Sequence, residues 1–322
     1  MNNSSRNNNA VEPWHCTANL QGFEQLLFVV LNVLSGCLTI FGNIAVLFTV
    51  YSSQSLQTVS NFLICSLSIA DFLVGVVVNP LYIAIVILKV WVSSHVLYLA
   101  ENYFWVQSLF VTTFSLAAIS VDRYLAITKV FRYEAILTRR RCAVTIFSIW
   151  VVSFVFSSIT LIIEPEDASK LWVTSNALTI CIPFAVIGYS YFYIYQAAQR
   201  QSRSITDGSK TDREMIRQNI YNRKAAVSVA IIIGLFLALY TPNFVVSIVE
   251  ISFEEHCKKM FVYKVWLWIN WTAFLSSASN PWVYTLRNRR FRKSLKIIWK
   301  RYNYFKSNTV LNDPHVCSTD HN

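Results

Sequence analysis

Three kinds of position in this sequence could do chemistry. Asp71 stands alone in a long apolar run, Asp122-Arg123-Tyr124 closes a second run, and Pro183, Pro242 and Pro281 interrupt three others. An ionisable group surrounded by hydrocarbon is costly, so Asp71 calls for water, an ion or hydrogen-bond partners. Each proline removes a backbone hydrogen bond inside a helix and clashes with the preceding turn, which makes a kink that neighbours or water can satisfy in more than one way. An arginine beside an aspartate is an ion pair that can be exchanged for other partners. Read alone, Arg123 is better taken as an interfacial arginine snorkelling to water. Catalysis has no visible apparatus, because His15, His95, His256, His315 and His321 all fall outside the cores of the apolar runs and no nucleophile with a base or metal set appears. The chain is therefore expected not to be an enzyme.

The elements that must position these groups are membrane helices. The 322 residues are 54% hydrophobic and only 14% charged, too little polar surface to cover a soluble globule. A spanning helix needs ~20 mostly apolar residues. Seven stretches meet that length: Leu26–Val50, Asn61–Leu88, Tyr103–Val121, Ala143–Ile163, Leu171–Tyr195, Ala225–Val249 and Val265–Leu286. Asp71 is the one charge within them. The net charge of +11 collects in the gaps, around Lys129, Arg132 and Arg139–Arg141, from Arg200 to Lys224, and after span seven. That pattern argues for membrane topology rather than nucleic-acid binding, and the positive-inside rule puts the amino terminus outside. The first twenty residues lack the pattern of a signal peptide, so the first run is expected to be retained.

The fold class expected is an all-α membrane protein, a seven-transmembrane helix bundle. Residues 1–24 form an outer amino-terminal segment with glycosylation patterns at Asn2 and Asn3, and residues 25–287 form the bundle. Residues 288–301 form an amphipathic eighth helix with Phe291, Leu295 and Ile298 on one face, lying on the lipid of the inner leaflet. Residues 302–322 form a polar cytoplasmic tail. Cys16 and Cys257 both lie in polar segments on the oxidising side, where a disulfide between them is set against two free thiols.

Gly42-Asn43 in span one, Leu67 to Asp71 in span two, Asp122-Arg123-Tyr124 in span three and Trp150 in span four are followed by Pro183 with Tyr191, by Pro242, and by Asn280-Pro281 with Tyr284. One motif per span, in this order from Gly42 to Phe291, resembles the rhodopsin-like (class A) G-protein-coupled receptors. The resemblance implies a plasma-membrane receptor that binds an extracellular ligand and activates a heterotrimeric G protein as helix six swings outward. It implies that Arg123 pairs with Asp122 at rest and reaches toward Tyr191 and Tyr284 on activation. Asp71, Thr112, Ser277 and Asn280, with Asn43 nearby, would line a hydrated cavity able to hold a sodium ion, since all are oxygen-bearing; a cluster bridged only by water is the alternative. Val111, Pro183 and Phe236, with Tyr240 at Pro242, would couple pocket to switch by repacking. Ordinary core packing is the alternative there.

The sequence also departs from that pattern. The cysteines that usually tie span three to the second outer loop are missing, with Tyr98 near the place of the first, and the loop Glu164–Lys170 is very short. This is similar, weakly, to the melanocortin- and lipid-receptor branches, and a Cys16–Cys257 bridge would replace the missing staple. Trp105 stands where amine receptors carry an aspartate, which disfavours a biogenic amine. Tyr240 replaces the usual tryptophan before Pro242, and Asn222 replaces a glutamate that holds Arg123, so raised basal activity is expected. Glu101, Trp105, Phe244, Glu250, Trp266 and Asn270 would form an aromatic, partly acidic pocket, with both glutamates nearer its rim, suited to a peptide or an amphipathic small molecule. Ordinary helix contacts are the alternative. A transporter would need repeated halves or several intramembrane charges. A non-signalling receptor-like partner is disfavoured by the intact Asp122-Arg123-Tyr124.

Overall fold

The computed structural model describes residues 19–90, 95–162, 168–203, 210–252, 256–298 and 300. Seven long helices form a bundle: α1 Gly22–Ser52, α2 Val59–Leu88, α3 Val96–Thr128, α4 Arg139–Leu161, α5 Ala168–Arg203, α6 Lys210–Ser252 and α7 His256–Arg287. A shorter helix, α8, covers residues 289–298. Cys16, Asn2, Asn3 and the tail beyond residue 300 lie outside the described residues, as do the side chains of Glu250 and Cys257.

Local chemistry starts several of these helices. The Thr58 and Thr138 hydroxyls accept from the backbone N–H groups of Asn61 and Arg141, each at 3.3 Å, so threonine caps open α2 and α4. The Asn288 side chain does the same for α8, accepting from Arg290 and Phe291 N–H groups. In α8, Phe291 and Ser294 are buried while Arg292, Lys293 and Lys296 are exposed, and Ser294 bonds Ser53 beyond the end of α1 at 3.0 Å. This is the amphipathic face read from the sequence.

Six of the helices are long and apolar enough to cross a membrane. The seventh, α7, buries Asn270, Ser276, Ser277 and Asn280, and those polar groups lower its apolarity. It turns these groups to the bundle interior, while Phe261, Trp282 and Leu286 face outward. The helices turn large apolar side chains outward, Phe41 at 70% and Phe147 at 69% exposure among them. Apolar surface on this scale needs a hydrocarbon solvent, and the internal helical hydrogen bonding suits one. This is a multi-pass membrane protein.

α3 occupies the centre, with α2, α4, α5 and α6 packed round it. Its hydroxyls turn back onto their own helix, as Thr113 does to Leu109 O at 3.0 Å and Ser120 to Leu116 O at 2.8 Å, which satisfies them without water. α3 also begins at Val96, a full seven residues before the apolar run at Tyr103. Glu101, in the second turn of α3, is consequently buried at 6% exposure, so Asp71 is not the one acidic residue buried in the bundle.

Glycine sets two close approaches. A Cβ on Gly42 would stand 3.0 Å from Pro281 Cγ, so α1 and α7 meet there without a side chain between them. A Cβ on Gly75 would stand 2.8 Å from Ile40, and Gly75 lies in the widened π turn Val74–Val78 that precedes Pro80.

Candidate functional site

Arg132, Arg139, Arg223 and Lys224 collect at one end of the bundle, and Arg123 sits in the interior of that basic end, 8% exposed. Its guanidinium pairs with Asp122, with Nε at 2.7 Å from Oδ2, and also donates to the Ser60 hydroxyl. Asp122 further accepts from Ser60 and from the Tyr133 hydroxyl at 2.6 Å. Tyr133 lies on the single helical turn after α3. Burial and the adjacent Asp122 carboxylate push its phenol up to about 12, so the hydroxyl remains a donor to that carboxylate. Two further bonds tie α6 to its neighbours at this end. Asn222 of α6 donates to the Ala126 carbonyl of α3 at 3.0 Å, and the Tyr191 hydroxyl of α5 donates to the Ala226 carbonyl of α6 at 2.8 Å.

In mid-bundle, Asp71 is fully buried and accepts from Asn280 Nδ2 at 2.7 Å. Asn43 bridges α1 and α7 by donating to Thr39 O at 2.9 Å and Ser277 O at 3.3 Å. Asp71 Oδ1, Asn43 Oδ1 and the Ser68, Ser115 and Tyr284 hydroxyls are buried with no hydrogen-bond partner among the described residues. Unmatched buried oxygens such as Asp71 Oδ1 call for water or a cation. A cavity of about 30 Å³ has Ser108, Thr112, Ser276 and Ser277 in its wall, and Ser277 also neighbours Asp71. That is room for about one water-sized sphere. An all-oxygen donor set with one carboxylate fits a hard monovalent ion.

Aromatic rings roof that cavity. Trp105 stacks on Tyr240 with centroids 6.3 Å apart, Tyr240 on Phe236 at 5.3 Å and Phe236 on Phe184 at 6.0 Å. The column descends through α3, α6 and α5 beside Pro242 and Pro183. Phe274 of α7 meets Trp105 edge-on at 5.2 Å. Toward the end opposite Arg123, Asn243 donates to Asn270, Asn270 donates to the Tyr82 hydroxyl at 3.0 Å, and Tyr82 donates to Leu267 O at 3.4 Å. Three helices are thereby joined across the bundle.

The profile of the rhodopsin family of seven-transmembrane receptors matches residues 42–171 and 163–284, the stretch that carries all of these groups. The chain belongs to the rhodopsin family. Trace amine-associated receptor 365 of Petromyzon marinus is 28% identical over 328 residues, covering 92% of this chain and 88% of that receptor. The alpha-1A adrenergic receptor of Oryzias latipes is 27% identical, covering 83% of this chain and 66% of its own length. Trace amine-associated receptor 7d of Mus musculus is 29% identical over 291 residues, covering 81% and 78%. The chain is accordingly a ligand-binding G-protein-coupled receptor and not an enzyme.

Within this receptor the residues singled out from sequence fall into distinct places. Asp122 and Arg123 form one cluster; Tyr124 instead turns to α5, where its ring lies 6.2 Å from Tyr189 and 6.0 Å from Tyr193. Tyr191 and Tyr284 do not bond Arg123 here. Tyr191 bonds α6, and Tyr284 lies within electrostatic reach of Asp71. Asp71, Asn43, Ser277 and Asn280 come together, with Thr112 lining the neighbouring cavity. Phe236, Tyr240, Pro183 and Pro242 follow the aromatic column. Val111 does not: it is fully buried but outside the cavity wall, because the α3 face that meets Phe236 carries Trp105, Ser108, Leu109 and Thr112. Pro281 packs on Gly42. Trp105 and Asn270 belong to the far-end cluster, whereas Trp266 stacks on Tyr263 at 6.4 Å and Phe244 is only partly buried.

Sequence reasoning missed Asn243 and Tyr82. Asn243, at 0% exposure, is the inward residue beside Pro242; it was legible only as a polar residue in an apolar run. Tyr82, 3% exposed, gave no signal beyond being a tyrosine. Ser60 and Tyr133, which complete the Asp122 cluster, come from loop ends whose placement no local pattern records. Among the described residues Cys37, Cys65, Cys142 and Cys181 are free thiols.

Proposed function

We propose that this receptor sits in the plasma membrane with its amino terminus outside, binds a small amphipathic molecule at the end opposite Arg123, and opens its basic end by outward movement of α6. The observation that carries this reading is the aromatic column Trp105–Tyr240–Phe236–Phe184. It runs from the far-end polar cluster to the proline-bearing middle of α5 and α6. A ligand that displaces Trp105 must move Tyr240, and a kinked helix converts a small shift near Pro242 into a larger one at its distant end. The closed arrangement, with Asn222 and Tyr191 tied to backbone carbonyls and Arg123 to Asp122, is the resting member of the pair. A ligand shifts the balance only by binding the open member better. The distribution of basic residues supports the orientation.

We also infer that the pocket beside Asp71 holds a sodium ion at rest, with Asp71, Thr112, Ser277 and Asn280 supplying oxygens and Asn43 closing the α1 side. The unmatched Asp71 Oδ1 supports this.

The test is G-protein activation in cells with this chain verified at the surface, without ligand and across a library of amphipathic small molecules, with Arg123→Ala and Tyr240→Ala alongside. A response lost in Arg123→Ala and weakened in Tyr240→Ala supports the reading. A response undiminished by Arg123→Ala overturns the switch.

A further inference from the structure

Resting on that receptor reading, we propose that the ligand is an organic cation whose ammonium group is held by Glu101, with the π faces of Trp105 and Phe274 beneath it. Glu101 lies one turn of α3 beyond Trp105, and residues four apart share a helix face. It is 6% exposed. Among the described residues no hydrogen bond or ion pair reaches its carboxylate, the ion pairs being Arg123 with Asp122 and Lys264 with Glu24. A buried carboxylate without a partner is costly unless a cation arrives to pair with it. Arg123, at the other end, is the one buried cation among the described residues.

The Asn243 side-chain oxygen is fully buried without a partner, while one amide N–H of Asn243 is used on Asn270 and one of Asn270 on Tyr82. Tyr82 lies within the field of Glu101. The unmatched Asn243 oxygen and the Glu101 carboxylate suit a ligand rich in N–H donors, and an ammonium offers three with no acceptor. Trp105 and Phe274 meet edge-on at 5.2 Å, an aromatic floor that attracts a cation and receives an apolar body. Residue 105 therefore need not be acidic for a cationic ligand, because the carboxylate stands one turn farther out.

The experiment uses the full chain, purified in nanodiscs, with thermal stabilisation as the readout of binding. The probes are 2-phenylethylamine and n-octylamine against their uncharged counterparts 2-phenylethanol and octan-1-ol. Amines are expected to stabilise the receptor and the alcohols not. Glu101→Gln is expected to weaken amine binding about 30-fold or more, as for a lost buried charge pair, and Glu101→Asp to retain most of it. Surface expression of each variant controls for folding, and the amine-against-alcohol comparison on the unaltered chain stands even where a variant fails to fold. Equal stabilisation by amines and alcohols, no stabilisation by either amine, or an unaffected Glu101→Gln overturns the inference. G-protein activation is read separately. Amine binding without any coupling counts against the receptor reading and leaves Glu101 as the counter-ion, whereas coupling driven by alcohols with no amine binding does the reverse.

Discussion

Asn222→Ala should raise ligand-free signalling about fivefold. Asn222 is 6% exposed and donates to the Ala126 carbonyl at 3.0 Å, joining α6 to α3 at the end that must open. Outward movement of α6 breaks that bond, so it stabilises the closed form alone. A net neutral hydrogen bond contributes about 1 kcal/mol, and removing it multiplies the open-to-closed ratio by about five. If the open form is a minor species, basal activity rises by the same factor. The assay is ligand-free G-protein activation at matched surface expression, with Arg123→Ala in the same background as the zero. The absence of a glutamate at this position leads one to expect a slack resting state, yet the asparagine supplies a neutral tie of its own. Unchanged or lowered basal activity in Asn222→Ala, at equal expression, would refute the assignment of this contact to the closed state.

Replacing potassium chloride by sodium chloride should stabilise the purified receptor, by about 1.4 kcal/mol at a sodium concentration tenfold above its dissociation constant. Asp71→Asn should abolish the difference, and a sodium effect that survives would place the ion elsewhere. Tyr133→Phe removes the 2.6 Å bond to Asp122, and loss of such a bond to a charged group costs about 1.5–3 kcal/mol; faster hydrogen exchange over residues 130–137 is expected. With its phenol pushed up to about 12, Tyr133 remains protonated from about pH 6 to 9, so the substitution should act equally across that range; a strong pH dependence would contradict this. Gly42→Val forces a branched side chain against Pro281 Cγ, 3.0 Å from where the Cβ would lie, and should destabilise by about 1–3 kcal/mol in a thermal melt. An unchanged melt would mean that α1 can move off α7 freely.

Composition and run length sufficed for the bundle, because hydrocarbon permits few ways to satisfy a backbone: every apolar run of sufficient length becomes a helix, and the number and order of runs set the architecture. Motifs that concern one helix were legible for the same reason. Asp71 is conspicuous in any apolar run, prolines declare their kinks, and Asp122 beside Arg123 is a local pair. The periodic face of α8 was likewise readable from Phe291, Leu295 and Ile298. Tertiary structure decided what one helix presents to another. Apolarity marked span three from Tyr103, but packing at the centre of the bundle carries α3 back to Val96 and buries Glu101, since a polar turn is helical where neighbours enclose it. The rotation of α3 put Thr112 on the cavity and took Val111 away from it, and the rotation of α6 turned Asn243 inward ahead of Phe244. Ser60, Tyr133 and Tyr82 join their clusters across 62, 11 and 188 residues of sequence separation. Only packing brings such partners together: hydrophobic periodicity marks the buried face of a helix, but the neighbour that face meets is set by shape and hydrogen-bond geometry between helices.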